Sequence, residues 1–348
     1  MRGGADASQG WSELSPGVGS GSRDRSVETL RGLAAVLVVL AHVIGLPDTG
    51  LEVGDRSLLR WWFAFTIPYR MPLFTVIAGY VYAWRPVQAG RTREFLAGKA
   101  RRLVYPLVFV STLQYLVSAA VPGTHYAHPL SRLWRVYFFS FDQFWFVQAI
   151  VLVFVSMPLL ERSGALRTAP RLLLTLAAAI VVQSFMPHRN LLFSFEEYFY
   201  LLAGFVFGVG LNRFQDVFLG PRMRVCAGAL FALAVGVQQL VFYHRLDLVL
   251  ERDRGPGMLV GLAGSLFLFS VRGGGNAWLA WLGGYAFEIY LFHRFGQAGA
   301  RIVLRALGVQ AVGVLFAAGM VAGLGVPLLM RELFRRTRLT RRLFLGEA

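Results

Sequence analysis

Cysteine is almost absent: Cys226 stands alone in 348 residues, which excludes an internal disulfide and any cysteine-based metal site. Charge is scarce too, at 16% of residues, against about 25% in an ordinary soluble domain. No internal repeat or heptad pattern is present, and no polar loop is long enough to house a soluble domain. Residues 1–24, "MRGGADASQGWSELSPGVGSGSRD", lack an apolar core, so they read as a disordered cytoplasmic tail and not as a cleavable signal peptide. His125 and His128 in "PGTHYAHPL" have no companion ligands nearby, so no metal is expected.

What is present is apolar surface. Hydrophobic residues make up 56% of the chain and aromatics 14%, the profile of a polytopic membrane protein. Apolar runs of the length that crosses a bilayer, roughly 17–25 residues, recur along nearly the whole sequence. The expected spans are 27–46, 58–84, 102–121, 142–160, 170–187, 191–211, 223–243, 256–271, 277–295 and 309–330. The fold class is therefore all-α and integral to the membrane: one bundle of ten transmembrane helices over 25–332, followed by a basic cytoplasmic tail, 333–348. Pro68 and Pro72 give the long second span reason to kink.

A pI near 10.9 would suit a nucleic-acid binder, but the basic residues are almost all arginine and sit in short loops between apolar runs. That is the pattern that orients multispan proteins. Most of these loops fall on one side, which places both termini in the cytoplasm and makes the lipid bilayer the partner, with no nucleic acid. The expected location is the cell membrane, in a bacterium the inner membrane.

Ionisable residues inside such runs are costly and mark function. In "ETLRGLAAVLVVLAHVIG", Arg31 and His42 are eleven positions apart, close to three full turns, so they share one helix face, roughly 16 Å apart along the axis. With Arg31 at the cytoplasmic interface, His42 is expected near the bilayer centre. Arg70 in "IPYRMPLFTVIAGY", Glu196 and Glu197, and Glu288 and His293 in "FEIYLFHRF" are the other polar groups at depth. An arginine in lipid needs a carboxylate or an anionic ligand, and Glu288 is the candidate partner for Arg70. A neutral imidazole is a good general base near pH 7. Arg93, Lys99, Arg101 and Arg102 in "RTREFLAGKARRLVYP" form the densest positive cluster, suited to phosphate groups such as those of coenzyme A.

Five motifs in register resemble the integral-membrane acyltransferase 3 family. "RGLAAVLVVLAHV" is similar to its first span, "MPLFTVIAGYVY" to its second, "KARRLVYP" to the opening of its third, "FWFVQAIVL" to its fourth, and "FEIYLFHRF" to its Tyr-Leu-x-His motif. The chain departs from the family pattern at Glu28 (commonly Asp), Ala78 (commonly Ser), Arg70 (often His) and Lys99, which replaces the first arginine of a two-arginine motif. The "FYLLAGFVFG" run looks nearest to the sugar O-acetylase branch.

The resemblance implies an O-acyltransferase that moves an acyl group, acetyl above all, from cytoplasmic acyl-CoA to a hydroxyl of a carbohydrate or glycosylated acceptor. Acyl-CoA is the co-substrate, and no metal is implied. The expected catalytic set is His42 as general base with Arg31, Arg70, Glu288 and His293, Arg70 holding the oxyanion; Lys99, Arg101, Arg102 and Arg93 are the expected donor-binding set. A secondary transporter with charged residues at the midplane is the rival expectation.

Overall fold

The computed structural model describes residues 24–46, 50–121, 129–187, 189–248 and 250–347; the expected tail up to Arg23 and the pair His125 and His128 lie outside them. Regular structure among the described residues is entirely helical. The principal helices are α1 Arg25–Ile44, α2 Leu58–Tyr82, α3 Thr92–Lys99, α4 Tyr105–Ala120, α5 Trp145–Arg162, α6 Ala169–Ser184, α7 Tyr198–Arg213, α8 Pro221–Phe242, α9 Gly255–Ser270, α10 Ala277–Gly283, α11 Ala286–Ala306, α12 Val312–Phe334 and α13 Arg338–Leu345.

Each of the ten expected runs contains helix, but six helical segments are long and apolar enough to cross a membrane: Arg25–Ile44, Thr92–Ala120, Leu130–Arg162, Leu192–Arg213, Pro221–Phe242 and Val312–Phe334. The other four fall short for visible reasons. α6 and α9 have 16 residues each, about 24 Å of helix. α2 carries Arg60, Arg70 and two internal prolines. The ninth run is broken at Gly284 and Tyr285, and α11 beyond the break holds Glu288, His293, Arg294, Arg301 and Arg305. With its several apolar helices, this is a multi-pass membrane protein. Side chains such as Leu174, Phe185, Val225 and Val321 stand outside the bundle, the apolar exterior that hydrocarbon requires.

α1 is the most buried of the spans, while α8 and α12 lie at the periphery. Its neighbours approach it backbone to backbone. A Cβ on Gly32 would sit 1.9 Å from the Leu279 carbonyl oxygen, and one on Gly283 would sit 2.0 Å from that of Glu28, so α10 touches α1 only because both contact positions are glycine. From this contact α11 runs alongside α1 in the same direction: Ala286 and Ile289 share a core with Ala35, Val39 and Val43. The α3–α4 connection is a π-helical turn, Ala100–Val104, just before Pro106. Proline has no N–H for the carbonyl four residues earlier, and the ladder widens there.

α1 ends at Ile44, where Gly45 adopts φ 63°. His42 therefore occupies the last turn, and Arg31 lies almost two turns inside the other end. The helix stops soon after His42, because Gly45 takes a positive φ that closes it and that a residue with a Cβ would resist. The C-terminal helix α13 folds back on the bundle, with Phe344 stacked on Phe334 at 4.2 Å and Leu345 fully buried.

Candidate functional site

The parallel course of α1 and α11 brings His42 and His293 together, ring centroids 4.8 Å apart. His293 is fully buried, and its Nδ1 faces two carbonyls of its own helix, Ile289 at 3.0 Å and Tyr290 at 2.9 Å. Carbonyls only accept, so Nδ1 carries the proton and the lone pair is on Nε2, which has no partner among the described residues. On His42, Nδ1 lies 3.4 Å from Arg294 Nη1, a long contact whose donor is the guanidinium. The lone pair of His42 is thus on Nδ1.

Arg294 is anchored from behind. Its Nε and Nη2 donate to Asp142 Oδ2 at 2.9 and 2.8 Å, and the same oxygen accepts from Gln114 Nε2 at 2.7 Å. Gln114 Oε1 accepts from Gln143 Nε2 at 2.8 Å, which closes a buried amide pair. Asp142 has φ 47°, a left-handed conformation that costs a non-glycine residue energy and that aspartate tolerates better than most. Strain held in place by three hydrogen bonds beside two histidines is typical of a functional centre.

Toward the N-terminal end of α1 lies a cavity of about 130 Å³. Its polar lining is Arg31, Lys99, Arg102 and Glu288, and its walls include Phe146, Phe154 and Tyr290. Glu28 pairs with Arg31 at 2.8 Å, and Lys99 Nζ lies 4.1 Å from the centre of the Phe154 ring. Tyr290 links this cavity to the histidine end, because its hydroxyl donates to the carbonyl of Gln143, next to Asp142. Along α11, Glu288 is five residues, about 7.5 Å of rise, from His293.

A family model described as an acyltransferase domain matches residues 24–332. The chain belongs to the acyltransferase 3 family. No curated protein and no solved structure matches it. Within this acyltransferase the structure divides the expected site residues into two groups. His42 and His293 meet at one end; Arg31, Lys99, Arg102 and Glu288 meet around the cavity. Arg93 is exposed and Arg101 does not line the cavity.

The expected Arg70–Glu288 pair does not form. Glu288, 2% exposed, faces Arg331 at 3.5 Å and Arg102 at 3.9 Å. These arginines sit at the end of the acyltransferase where α11 begins, whereas Arg70 reaches back along α2 to lie over the Phe63 ring at 5.6 Å. Side chains on a helix lean toward its N-terminus, which carries the guanidinium away from Glu288 and toward the level of His42. Glu197 is taken by Arg252 at 2.6 Å, and Arg252 in turn lies 4.1 Å from the Trp145 ring centre.

Four residues of this centre lie outside the sequence-based expectation: Asp142, Arg294, Arg252 and Arg331. Arg294 directly follows His293, and Asp142 stands just before the aromatic motif of the fourth span. Both are visible in the sequence as charges beside recognised motifs. Arg252 sits in a loop and Arg331 at the end of the last span, where arginine is the ordinary topological marker.

Proposed function

We propose that this acyltransferase moves an acyl group, acetyl above all, from acyl-CoA to a hydroxyl of a carbohydrate acceptor, with His42 as general base. The observation that carries the reading is the arrangement of two ends of one helix: a cationic cavity of Arg31, Lys99 and Arg102 at one, and the His42–His293 pair at the other. Ten spans with both termini in the cytoplasm would put the cavity on the cytoplasmic side, where acyl-CoA is found. At about 130 Å³ the cavity is smaller than a typical ligand pocket of roughly 300–1,000 Å³. It suits the pantetheine arm of the donor, with the phosphates on Lys99 and Arg102 at its mouth and the thioester carried on along α1 to the His42 end.

The steps follow from the groups present. Lys99 and Arg102 hold phosphate oxygens. The acceptor hydroxyl gives its proton to His42 Nδ1, and its oxygen attacks the thioester carbonyl. As that nitrogen takes the proton, the Nη1 of Arg294, which faces it at 3.4 Å, turns from it to the oxyanion that develops alongside. Arg70, the sequence-based choice for this task, does not touch His42. Collapse of the tetrahedral species breaks the C–S bond; the imidazolium returns its proton to the departing thiolate, leaving free CoA and the ester. Asp142 keeps Arg294 aimed.

The test is acetyl-CoA hydrolysis by detergent-solubilised protein, together with mass spectrometry of base-labile esters in cells that carry the intact chain or His42→Ala. Turnover and esters that vanish in His42→Ala support the reading. Full activity in that variant removes His42 from the chemistry, and no hydrolysis by the intact chain brings the transporter reading forward.

A further inference from the structure

Arg70 is a half-buried cation in no ion pair among the described residues. Its Nη1 is enclosed and has no hydrogen-bond partner there. Its guanidinium lies over the Phe63 ring at 5.6 Å, and no carboxylate among the described residues pairs with it. The acids of the histidine end are committed elsewhere, Glu197 to Arg252 at 2.6 Å and Asp142 to Arg294 at 2.8 Å, and Glu288 at the other end is held by Arg331 and Arg102.

Two further polar atoms in this neighbourhood are orphaned as well. Tyr200, 3% exposed, has a hydroxyl with no partner among the described residues, and Glu197 Oε2 has none. Arg252 lies 5.8 Å from the Tyr200 ring centre, and α7 packs on α2 where a Cβ on Gly204 would sit 3.8 Å from the Pro72 carbonyl oxygen, which gathers these groups on one side of the bundle, within electrostatic reach of His42. A guanidinium held at membrane depth without a carboxylate is expensive, and a buried donor left unmade forfeits a full desolvation penalty. Guanidinium and phenol hydroxyl together offer several donors to one anion, in the geometry that suits a carboxylate or a phosphate. Glu197 Oε2 adds an acceptor for a sugar hydroxyl.

We propose that the acceptor is an anionic sugar, whose carboxylate or phosphate docks on Arg70 and Tyr200 beside His42. This rests on the acyl-transfer reading for its biological meaning, yet the anion site can be measured without any donor. Neutral sugars would leave Arg70 unpaired, and sites built around a buried polar group discriminate strongly against ligands that lack its partner.

The experiment is calorimetric titration of the full-length chain in detergent, without acyl-CoA, using p-nitrophenyl glucuronide, glucose 1-phosphate and the neutral p-nitrophenyl glucoside. At least one anionic probe is expected to bind roughly 10–100-fold more tightly than the glucoside, the factor set by one or two charge-assisted bonds. Preference for the glucuronide identifies a uronic acid; preference for the phosphate identifies a phosphorylated sugar. Arg70→Gln is expected to erase the preference and Arg70→Lys to keep part of it. Equal binding of the glucoside, binding of neither anion, or an undiminished preference in Arg70→Gln overturns the proposal. The intact chain decides the first two results whether or not a variant folds. Acetyl-CoA hydrolysis, measured separately, tests the transfer reading, so the two can fail independently.

Discussion

Replacing Asp142 with asparagine isolates one charge at the centre of the site. Asparagine keeps the shape and tolerates φ 47° about as well as aspartate, so the backbone is expected to stay. What is lost is the carboxylate that receives Arg294 at 2.9 and 2.8 Å and Gln114 at 2.7 Å. Hydrogen bonds to a charged partner contribute about 1.5–3 kcal/mol. If that energy holds Arg294 on the developing oxyanion in the transition state, its loss lowers kcat by roughly 10–150-fold at about 1.4 kcal/mol per factor of ten. The assay is steady-state acetyl-CoA hydrolysis and transfer by purified protein, with thermal unfolding recorded in parallel. The matched control is Glu52→Gln, whose pair with Arg305 at 3.1 Å is largely exposed and whose removal should change little. An Asp142→Asn enzyme with wild-type kcat, normal folding and an equally silent Arg294→Gln would refute the role given to this pair.

Three other outcomes follow from the geometry. Lys99→Ala and Arg102→Ala should raise KM for acyl-CoA about tenfold or more while leaving the proposed His42 chemistry intact, since each removes one of the proposed charge-assisted phosphate contacts; initial-rate titration of the donor reads this, and an unchanged KM in both would move the donor elsewhere. Glu288→Gln leaves Arg331, 1% exposed, facing Arg102 across a site without its shared carboxylate. Unpairing a buried charge costs about 3–5 kcal/mol, here eased by Glu332 and Glu347 near Arg331, so a clear drop in unfolding temperature is expected, and its absence would mean the cluster is solvated. Gly283→Val must push α10 off α1, because its Cβ position lies 2.0 Å from the Glu28 carbonyl oxygen; loss of folded protein on size-exclusion chromatography is the expected result, with Gly299→Ala, where nothing lies within 4 Å, as the tolerated comparison.

Helix positions and the two histidines are legible in the sequence because they depend on local rules. Long apolar runs force helices, and the spacing of Arg31 and His42 sets a shared face that the fold uses at both ends. Pairings across the bundle are not legible. Arg70 and Glu288 are charges of opposite sign within apolar runs, and nothing in one dimension says that Arg331, 43 residues beyond Glu288, takes its carboxylate instead. Nor does composition separate an arginine that marks topology from Arg252, which looks like a loop residue until its guanidinium is seen against Trp145. The glutamines are silent for a related reason: Gln114, Gln143 and Gln148 are neutral glue whose value lies wholly in tertiary partners.

The partnership of α1 with α11 also sets a clock on biogenesis. His42 enters the membrane with the first helix, and Arg294, the partner of its ring nitrogen, arrives 252 residues later. At about 5–20 residues per second of synthesis, the first imidazole waits for some tens of seconds beside an unfinished bundle. A nascent chain arrested anywhere before the ninth apolar run holds His42 but neither His293 nor Arg294, so on the proposed mechanism it consumes no acyl donor until the protein is nearly whole.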